Sequence, residues 1–178
     1  MLAAGASTRL GFPKQLILYE GEPLVRRIAG AAAEAGADPV VVVLGAESEL
    51  IAPALAGLAS VRTIVNASWR DGLASSLAAG LEEIFRDDAI DGVLVTLADQ
   101  PLVDATALRQ LVIAFGADRR IVASAYDDTV GVPAVFAREH ADELRHLKGD
   151  AGAGAWLRSR PKEVTRIPLE AAAFDIDT

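Results

Sequence analysis

Five consecutive apolar residues, Val40 to Leu44, constrain the fold of this chain more than any other stretch. A strand with one face in water alternates apolar and polar residues, whereas a continuous apolar run is typical of a strand covered on both faces. Shorter strand-forming segments recur along the chain. We predict strands at Leu2–Ala3, Val61–Val65, Val93–Leu97, Ile121–Ala125, Val132–Phe136 and Glu163–Ile167.

Helical segments separate most of these strands. Apolar residues repeat at helical spacing, and Asp104 is placed to cap one of the helices. The predicted helices are Pro23–Ala35, Glu47–Leu55, Leu73–Phe85, Asp104–Phe115 and Arg138–Leu147, with a further short helix around Trp156. Regular alternation predicts one domain over residues 1–178, an α/β three-layer sandwich of Rossmann type whose sheet is mostly parallel. The short connection before Val132 makes that strand antiparallel.

Composition narrows the function classes. The formal charge is −8, which argues against a nucleic-acid-binding surface. No apolar run approaches the roughly 20 residues that a membrane span requires, and no signal peptide is recognisable. The chain has no cysteine, so disulfides, a thiolate nucleophile and Cys-ligated zinc are excluded. We therefore expect a soluble cytoplasmic protein.

The loop after the first strand, from Ala4 to Lys14, contains small residues and two separated cations, Arg9 and Lys14. Small residues let backbone N–H groups approach an anion closely, and the cations suit a triphosphate. The loop is not a Walker A motif, because no Ser or Thr follows Lys14, and it is not Gly-x-Gly-x-x-Gly. A tight loop with two solvated cations explains the stretch equally well.

Asp99 directly follows an apolar strand, which fixes its carboxylate at the sheet edge. In parallel α/β sheets ligands bind at the carboxyl ends of the strands, where the Gly5 loop, Gly45 and the 66–72 loop also fall. A lone carboxylate there suits Mg²⁺, which takes one or two protein oxygens and completes its octahedron with water and phosphate. The alternative is that Asp99 only caps the turn before Pro101.

Three more acidic residues are candidates. Asp175 and Asp177 alternate on a short apolar segment, so they would share one face of a strand and one could reach the same metal. A frayed acidic terminus is the alternative. Asp150 is either a helix cap or a ligand contact. His140 and His146 lack metal-ligand spacing, and both are expected to face solvent.

The combined motifs resemble the nucleoside-triphosphate transferase superfamily, and within it the MobA-like branch and the molybdenum cofactor cytidylyltransferases. The opening loop reads Leu-Ala-Ala-Gly, where the related guanylyltransferase has Leu-Ala-Gly-Gly. The segments that carry the rest of the resemblance are Asn66–Leu81, Leu97–Leu102, Gly131–Phe136, Leu147–Ala153 and Asp175–Thr178.

This resemblance implies a Rossmann-like fold of the nucleotide-diphospho-sugar-transferase type and transfer of CMP from CTP to the terminal phosphate of a molybdopterin-type cofactor. Pyrophosphate would be released with the help of Mg²⁺, and a molybdoenzyme or its maturation chaperone would receive the product. The implied roles are triphosphate binding by Gly5, Arg9 and Lys14, metal binding by Asp99 and Asp177 with Asp175 as the alternative, and base or ribose contacts by Ala3, Ala4, Asn66, Gly72 and Ser76.

The chain departs from the family pattern at Gly154, where the family usually has Arg. Its first strand is also short, and its last residues belong to a family motif, so we expect truncated ends. Three alternatives stay open. The enzyme could transfer GMP to molybdopterin or a nucleotide to another small phosphate. The chain could be a nucleotide- or cofactor-binding module without turnover. The first loop could also be purely structural in another α/β protein.

Overall fold

A central sheet of seven strands organises the chain in the computed structural model, which describes residues 1–8, 10–118 and 121–176. Parallel strands β1 (Leu2–Ala3), β4 (Val40–Leu44) and β5 (Val61–Val65) form one part, in the order β1-β4-β5. The other part has the order β6-β8-β7-β9 and comprises β6 (Gly92–Val95), β7 (Ile121–Tyr126), β8 (Thr129–Ala137) and β9 (Val164–Pro168).

The two parts join at Leu2. Its N–H donates to the Thr96 carbonyl at 2.9 Å, and its carbonyl accepts from the Ala98 N–H at 3.1 Å. The pairing is parallel, so β1 and the chain that leaves β6 run in the same direction. Strand β8 is antiparallel to both β6 and β7, as the short connection before it predicts, while β7 and β9 are parallel. The predicted α/β class and mostly parallel sheet are confirmed.

Helices cover both faces of the sheet, and the side chains of β4 pack against helices on each face. Val40, Val42 and Leu44 pack in a core with α1 (Leu24–Glu34) and α4 (Ala105–Asp118). Val41 and Val43 pack in a second core with α3 (Leu73–Ile84), α5 (Ala141–Arg145) and α6 (Ala153–Arg158). All five β4 residues are buried, which is why the strand has no polar position.

Two predicted helices are shorter than expected. The segment predicted as helix 47–55 forms α2 (Ser48–Ile51) and then a 3-10 helix, Ala52–Leu55, that contains Pro53. Proline has no N–H to donate, so the α-helix ends before it. The segment 138–147 forms a 3-10 turn, Arg138–His140, ahead of α5. Among the described residues, no helix is long and apolar enough to cross a membrane.

Residues 13–23 form a local unit that the sequence reading did not predict. A 3-10 helix, Lys14–Leu16, follows the first loop, and β2 (Leu18–Tyr19) pairs with β3 (Glu22–Pro23) in a small antiparallel hairpin. The Leu24 N–H donates to the Ile17 carbonyl at 3.0 Å. The hairpin therefore returns the chain from the loop to the start of α1.

Gly45 lies where the first loop, β4 and the 66–72 loop meet. A Cβ atom at this position would lie 2.6 Å from Trp69 Cβ, 2.7 Å from the Ala4 carbonyl oxygen and 2.8 Å from Ala4 Cβ. These atoms are backbone or directly attached to it, so they cannot move aside as a long side chain would. Only glycine allows the two loops to approach this closely.

We predict that Gly45→Ala lowers the free energy of unfolding by about 1–3 kcal/mol, the usual cost of forcing a methyl group into packed structure. Urea denaturation followed by circular dichroism measures it. Gly30→Ala is the matched control, because Gly30 is in α1 and no atom lies within 4 Å of its Cβ position. Equal midpoints for Gly45→Ala and the wild type would contradict the packing described here.

Candidate active site

A cleft of about 470 Å³ opens at the carboxyl ends of β1 and of the chain leaving β6. The first loop, the 66–76 segment, the 97–99 segment, Asp150 and Asp175 form its walls. The lining residues that carry polar side chains are Lys14, Gln15, Trp69, Arg70, Ser76, Asp99, Asp150 and Asp175. The cleft therefore gathers two cations and three carboxylates around a floor of small residues, Ala3 to Ala6.

Gln15 holds the backbone of the first loop. Its Nε2 donates to the carbonyl oxygens of Ala3 and Gly5, each at 2.9 Å, and the residue is 2% exposed. Ser7 adds a second link, because its Oγ accepts from the Lys14 N–H at 3.0 Å. With the carbonyl groups of Ala3 and Gly5 bound to Gln15 on one side, the loop keeps a fixed shape at the mouth of the cleft.

Lys14 and Asp99 form an ion pair across the cleft, with Nζ 2.6 Å from Oδ2. The side chains are only 20% and 14% exposed, so water screens the pair less than it would a surface pair. The other carboxylate oxygen, Asp99 Oδ1, is buried and receives no hydrogen bond from the described residues. A buried carboxylate oxygen without a donor is an unusual and costly arrangement unless a ligand completes it.

The opposite wall rests on Gly72, whose φ of +100° suits glycine. A Cβ atom there would collide with the backbone of Gly149, and it would lie 2.9 Å from Asp150 Oδ1. The Ala74 N–H donates to the Gly149 carbonyl at 3.0 Å. Close contact between these two glycines thus brings Asp150 to the cleft.

Asn66 supports this wall from behind. Its Nδ2 donates to Ser75 Oγ at 2.9 Å and to Ser76 Oγ at 3.1 Å, and its Oδ1 accepts from the Ser68 N–H at 2.9 Å. Both N–H groups of the amide are therefore used inside the protein. Ser76 itself lines the cleft although it is only 2% exposed.

Asp175 reaches the cleft on the closing segment 172–176. The Ile176 N–H donates to the Asp99 carbonyl at 3.0 Å. The prediction of a strand here is wrong for residues 174–176, which are outside any strand.

The carboxylates of Asp175 and Asp127 both affect the pKa of Tyr126. Burial is the main cause that raises the pKa of Tyr126, Arg158 opposes the shift, and the two carboxylates add to it.

The structure brings most of the predicted site residues together. Those that line the cleft are Ala3, Ala4, Gly5, Lys14, Gly72, Ser76, Asp99 and Asp175. Asn66 and Gly45 do not line it. The carbonyl groups of Ala3 and Ala4 already accept from Gln15 Nε2 and from the Ala46 N–H. Arg9 and Asp177 lie outside the described residues, so their roles stay predictions.

Sequence reasoning missed Gln15, Trp69 and Arg70 as cleft residues in their own right. The Arg70 guanidinium stacks on the Trp69 ring, 4.3 Å from its centroid, and both residues line the cleft. The burial of Gln15 had no signal in the sequence, because the apolar residues that follow it, Leu16 to Leu18, are themselves only partly buried or exposed.

Arg158 Nη1 lies 3.1 Å from the position a Gly154 Cβ would occupy, so a cation from the next turn of α6 stands beside the glycine that replaces the family Arg. The expectation that His140 faces solvent is wrong. Its ring packs against Trp156 with centroids 5.4 Å apart, and its side chain is 19% exposed, whereas His146 is exposed.

The donor set of the cleft fits a divalent cation held with a phosphate ligand. Within the described residues, no three His, Cys, Asp or Glu side chains converge to form a complete metal site. Mg²⁺ and Mn²⁺ bind at phosphate-dependent sites through one or two carboxylates, with phosphate and water as the other ligands. Asp99, with its undonated Oδ1, and Asp175 could supply those carboxylates.

Comparison with known proteins finds relatives over the whole length of this chain. The chain is 34% identical to nicotine blue oxidoreductase of Paenarthrobacter nicotinovorans, over 100% of this chain and 90% of that one. It spans only 36% of the bifunctional protein GlmU of Mycobacterium sp. strain KMS, at 28% identity. The crystal structure of Rv0371c from Mycobacterium tuberculosis H37Rv superimposes with a TM-score of 0.83 at 31% identity, covering 99% of this chain and 90% of that one.

A structure of Rv0371c in complex with manganese superimposes with a TM-score of 0.74 at 29% identity, covering 95% of this chain and 85% of that one. The sequence profile of the MobA-like NTP transferase domain matches residues 1–164, which is most of the chain. The chain therefore belongs to the family of MobA-like NTP transferase domains, which are nucleotidyltransferases.

Proposed function

We propose that this protein transfers CMP from CTP to the terminal phosphate of a molybdopterin-type cofactor and releases pyrophosphate. The observation that carries the proposal is the Lys14–Asp99 pair beside the Gly5 loop, in a cleft of a MobA-like domain. A cation for phosphate and a carboxylate for metal stand together where nucleotidyl transfer needs both. CTP is a cytoplasmic nucleotide, so the proposal also places the enzyme in the cytoplasm.

The chain's own residues bind and orient the reactants. The Gly5 loop and Lys14 hold the triphosphate, and the Lys14 ammonium stabilises negative charge on the departing pyrophosphate. An oxygen of the acceptor phosphate attacks the α-phosphorus of CTP. The new P–O bond forms as the bond to the β-phosphate oxygen breaks. The acceptor oxygen is already anionic at neutral pH, so the step requires no general base.

Asp99 would hold Mg²⁺, with Asp175 or Asp177 as the second carboxylate. When bound, the metal would neutralise charge on the α-phosphate and help align the triphosphate. The undonated Oδ1 of Asp99 supports this assignment. Asp99 would bind the metal through Oδ1, and the Lys14 ammonium would leave Oδ2 for the triphosphate, because several phosphate charges attract it more strongly than one carboxylate does.

The choice of cytidine rests on the Leu2-Ala3-Ala4-Gly5 sequence. Ala4 takes the place where the resembling guanylyltransferase pattern has glycine, and Ala3 and Ala4 both line the cleft. Base and ribose contacts are assigned to these two residues, Gly72 and Ser76, with Asn66 holding Ser76 in place. GMP transfer to the same acceptor is the nearest alternative.

The direct test is pyrophosphate release with purified molybdopterin-type cofactor, Mg²⁺ and either CTP or GTP. We expect turnover with CTP and a clear preference for it over GTP. Asp99→Ala should reduce turnover by about 100-fold or more, since a group that stabilises transition-state charge is lost. Asp88→Ala is the control, because Asp88 is fully exposed and is not among the residues that line the cleft.

Each contrary result points to one alternative. A preference for GTP would overturn the cytidylyl assignment and leave the nucleotidyltransferase family intact. CTP binding without pyrophosphate release would favour a binding module. Release with a different small phosphate as acceptor would exclude the molybdopterin assignment, and with it the molybdoenzyme or maturation chaperone as the receiving partner.

The 34% identity to nicotine blue oxidoreductase raises a second candidate, a redox reaction of nicotine blue. The chain has no cysteine, so a thiol cannot carry the electrons. Incubation with nicotine blue and a reduced nicotinamide tests this candidate by the change in dye absorbance. We expect no conversion. Conversion without pyrophosphate release in the first assay would replace the proposed function by the redox one.

Lys14→Met should raise the KM for CTP by about tenfold to a hundredfold, because a hydrogen bond to a charged group contributes about 1.5–3 kcal/mol. In the absence of nucleotide, the variant should bind Mn²⁺ at least as tightly as the wild type, since the ammonium that contacts Asp99 is gone. Lys162→Met is the control on an exposed lysine. An unchanged KM would show that Lys14 does not contact the triphosphate.

Gly5→Ala tests whether the nucleotide closely approaches the first loop. Among the described residues, no atom beyond the chain neighbours of Gly5 lies within 4 Å of a Cβ atom at this position, so the ligand-free fold should be as stable as the wild type. With CTP bound, the added methyl group should meet the triphosphate at a cost of about 1–3 kcal/mol. Isothermal titration with CTP measures this. Wild-type affinity would show that the phosphates bind elsewhere.

A further inference from the structure

Gln100 follows Asp99 directly and is buried between three segments, with 3% of its surface exposed. Its Nε2 donates to the Ala172 carbonyl at 2.8 Å and to the Val132 carbonyl at 3.1 Å. One amide group therefore links the Asp99 turn to strand β8 and to the 3-10 helix Glu170–Ala173. Both of its N–H groups are used in these bonds.

The side chain does not face the cleft, and Gln100 is not among the residues that line it. Its remaining polar atom, Oε1, is buried and receives no hydrogen bond within the described residues. An amide whose donors are bound to backbone carbonyls cannot use the same donors to recognise a base. Gln100 is therefore unsuited to choosing between cytosine and guanine directly.

The closing segment is instead attached to the Asp99 turn at two points. Gln100 Nε2 holds the Ala172 carbonyl, and the Asp99 carbonyl accepts from the Ile176 N–H at 3.0 Å. Asp175 lies between these attachments and lines the same cleft as Asp99. The separation of the two carboxylates thus depends on a link made by the residue next to Asp99.

We propose that Gln100 is a positioning residue. It fixes the closing segment, and with it the carboxylate of Asp175, relative to the metal that Asp99 would hold. The proposal rests on the metal site of the proposed function but not on the identity of the base or the acceptor. Loss of the link should weaken metal binding and leave the choice of nucleotide unchanged.

The test measures Mn²⁺ binding to Gln100→Met in saturating CTP. Electron paramagnetic resonance of unbound Mn²⁺ monitors the binding. Methionine keeps the length of the side chain and removes both donors. We expect affinity to fall by about 10- to 100-fold, the usual effect of removing a residue that orients a metal ligand. Gln110→Met is the control on an exposed glutamine of α4. The ratio of CTP to GTP affinities, measured without metal, should equal that of the wild type.

Gln100→Asn is the second variant, in case the methionine variant does not fold. It keeps the amide on a shorter side chain that cannot reach both carbonyls, and circular dichroism checks its fold. Unchanged Mn²⁺ affinity in a folded variant would overturn the proposal, as would a shifted nucleotide ratio with unchanged metal affinity. Absence of Mn²⁺ binding by the wild type with CTP would overturn the metal site of the proposed function itself.

Discussion

The ion pair between Lys14 and Asp99 is the contact on which the site depends. It joins two segments far apart in the chain, and the sheet makes it possible. Leu2 pairs on one side with β4 and on the other with the chain leaving β6, so the first loop and Asp99 emerge at adjacent strand ends. In the proposed function, this charged pair would supply a cation for phosphate and a carboxylate for metal at one strand-end junction.

The supports of this pair are mostly amides bound to backbone carbonyls. Gln15 fixes the loop that leads to Lys14, and Gln100 fixes the segment that faces Asp99. On the opposite wall, the Asn66 amide donates to a side-chain hydroxyl instead, that of Ser76. Burial makes each link important, because a carbonyl that loses its partner in the interior is not rehydrated. In the proposed function Lys14 and Asp99 exchange partners, and these neutral links would keep their backbones in place as they do so.

The sequence predicted the fold well where periodicity is strong. The continuous run Val40–Leu44 indicated a strand covered on both faces, and the two cores on either side of β4 confirm it. Asp99 could be placed because strand ends share one edge of a parallel sheet. Helix limits were less accurate, since Pro53 turns the end of one helix into a 3-10 segment.

The roles of Gln15 and Gln100 could not be predicted from spacing. Their partners are carbonyl groups of segments distant in the chain, and a sequence does not show which carbonyls a fold leaves unpaired. The same limit applies to specificity. Gln100 belongs to Leu97–Leu102, one of the segments that carry the family resemblance, yet its amide is directed at the backbone. The chain is similar in sequence both to nicotine blue oxidoreductase and to part of the bifunctional protein GlmU, so its substrate must be inferred from the cleft and not from the architecture.

The central claim is that Asp99 is shared between Lys14 in the nucleotide-free protein and a metal in the complex. A crystal structure with CTP and Mg²⁺ measures this directly, through the distance from Lys14 Nζ to Asp99 Oδ2. The account predicts that this distance increases well beyond 2.6 Å, with Lys14 on the phosphates and Asp99 on the metal. An intact ion pair beside bound CTP, with the metal held by other residues, would contradict it.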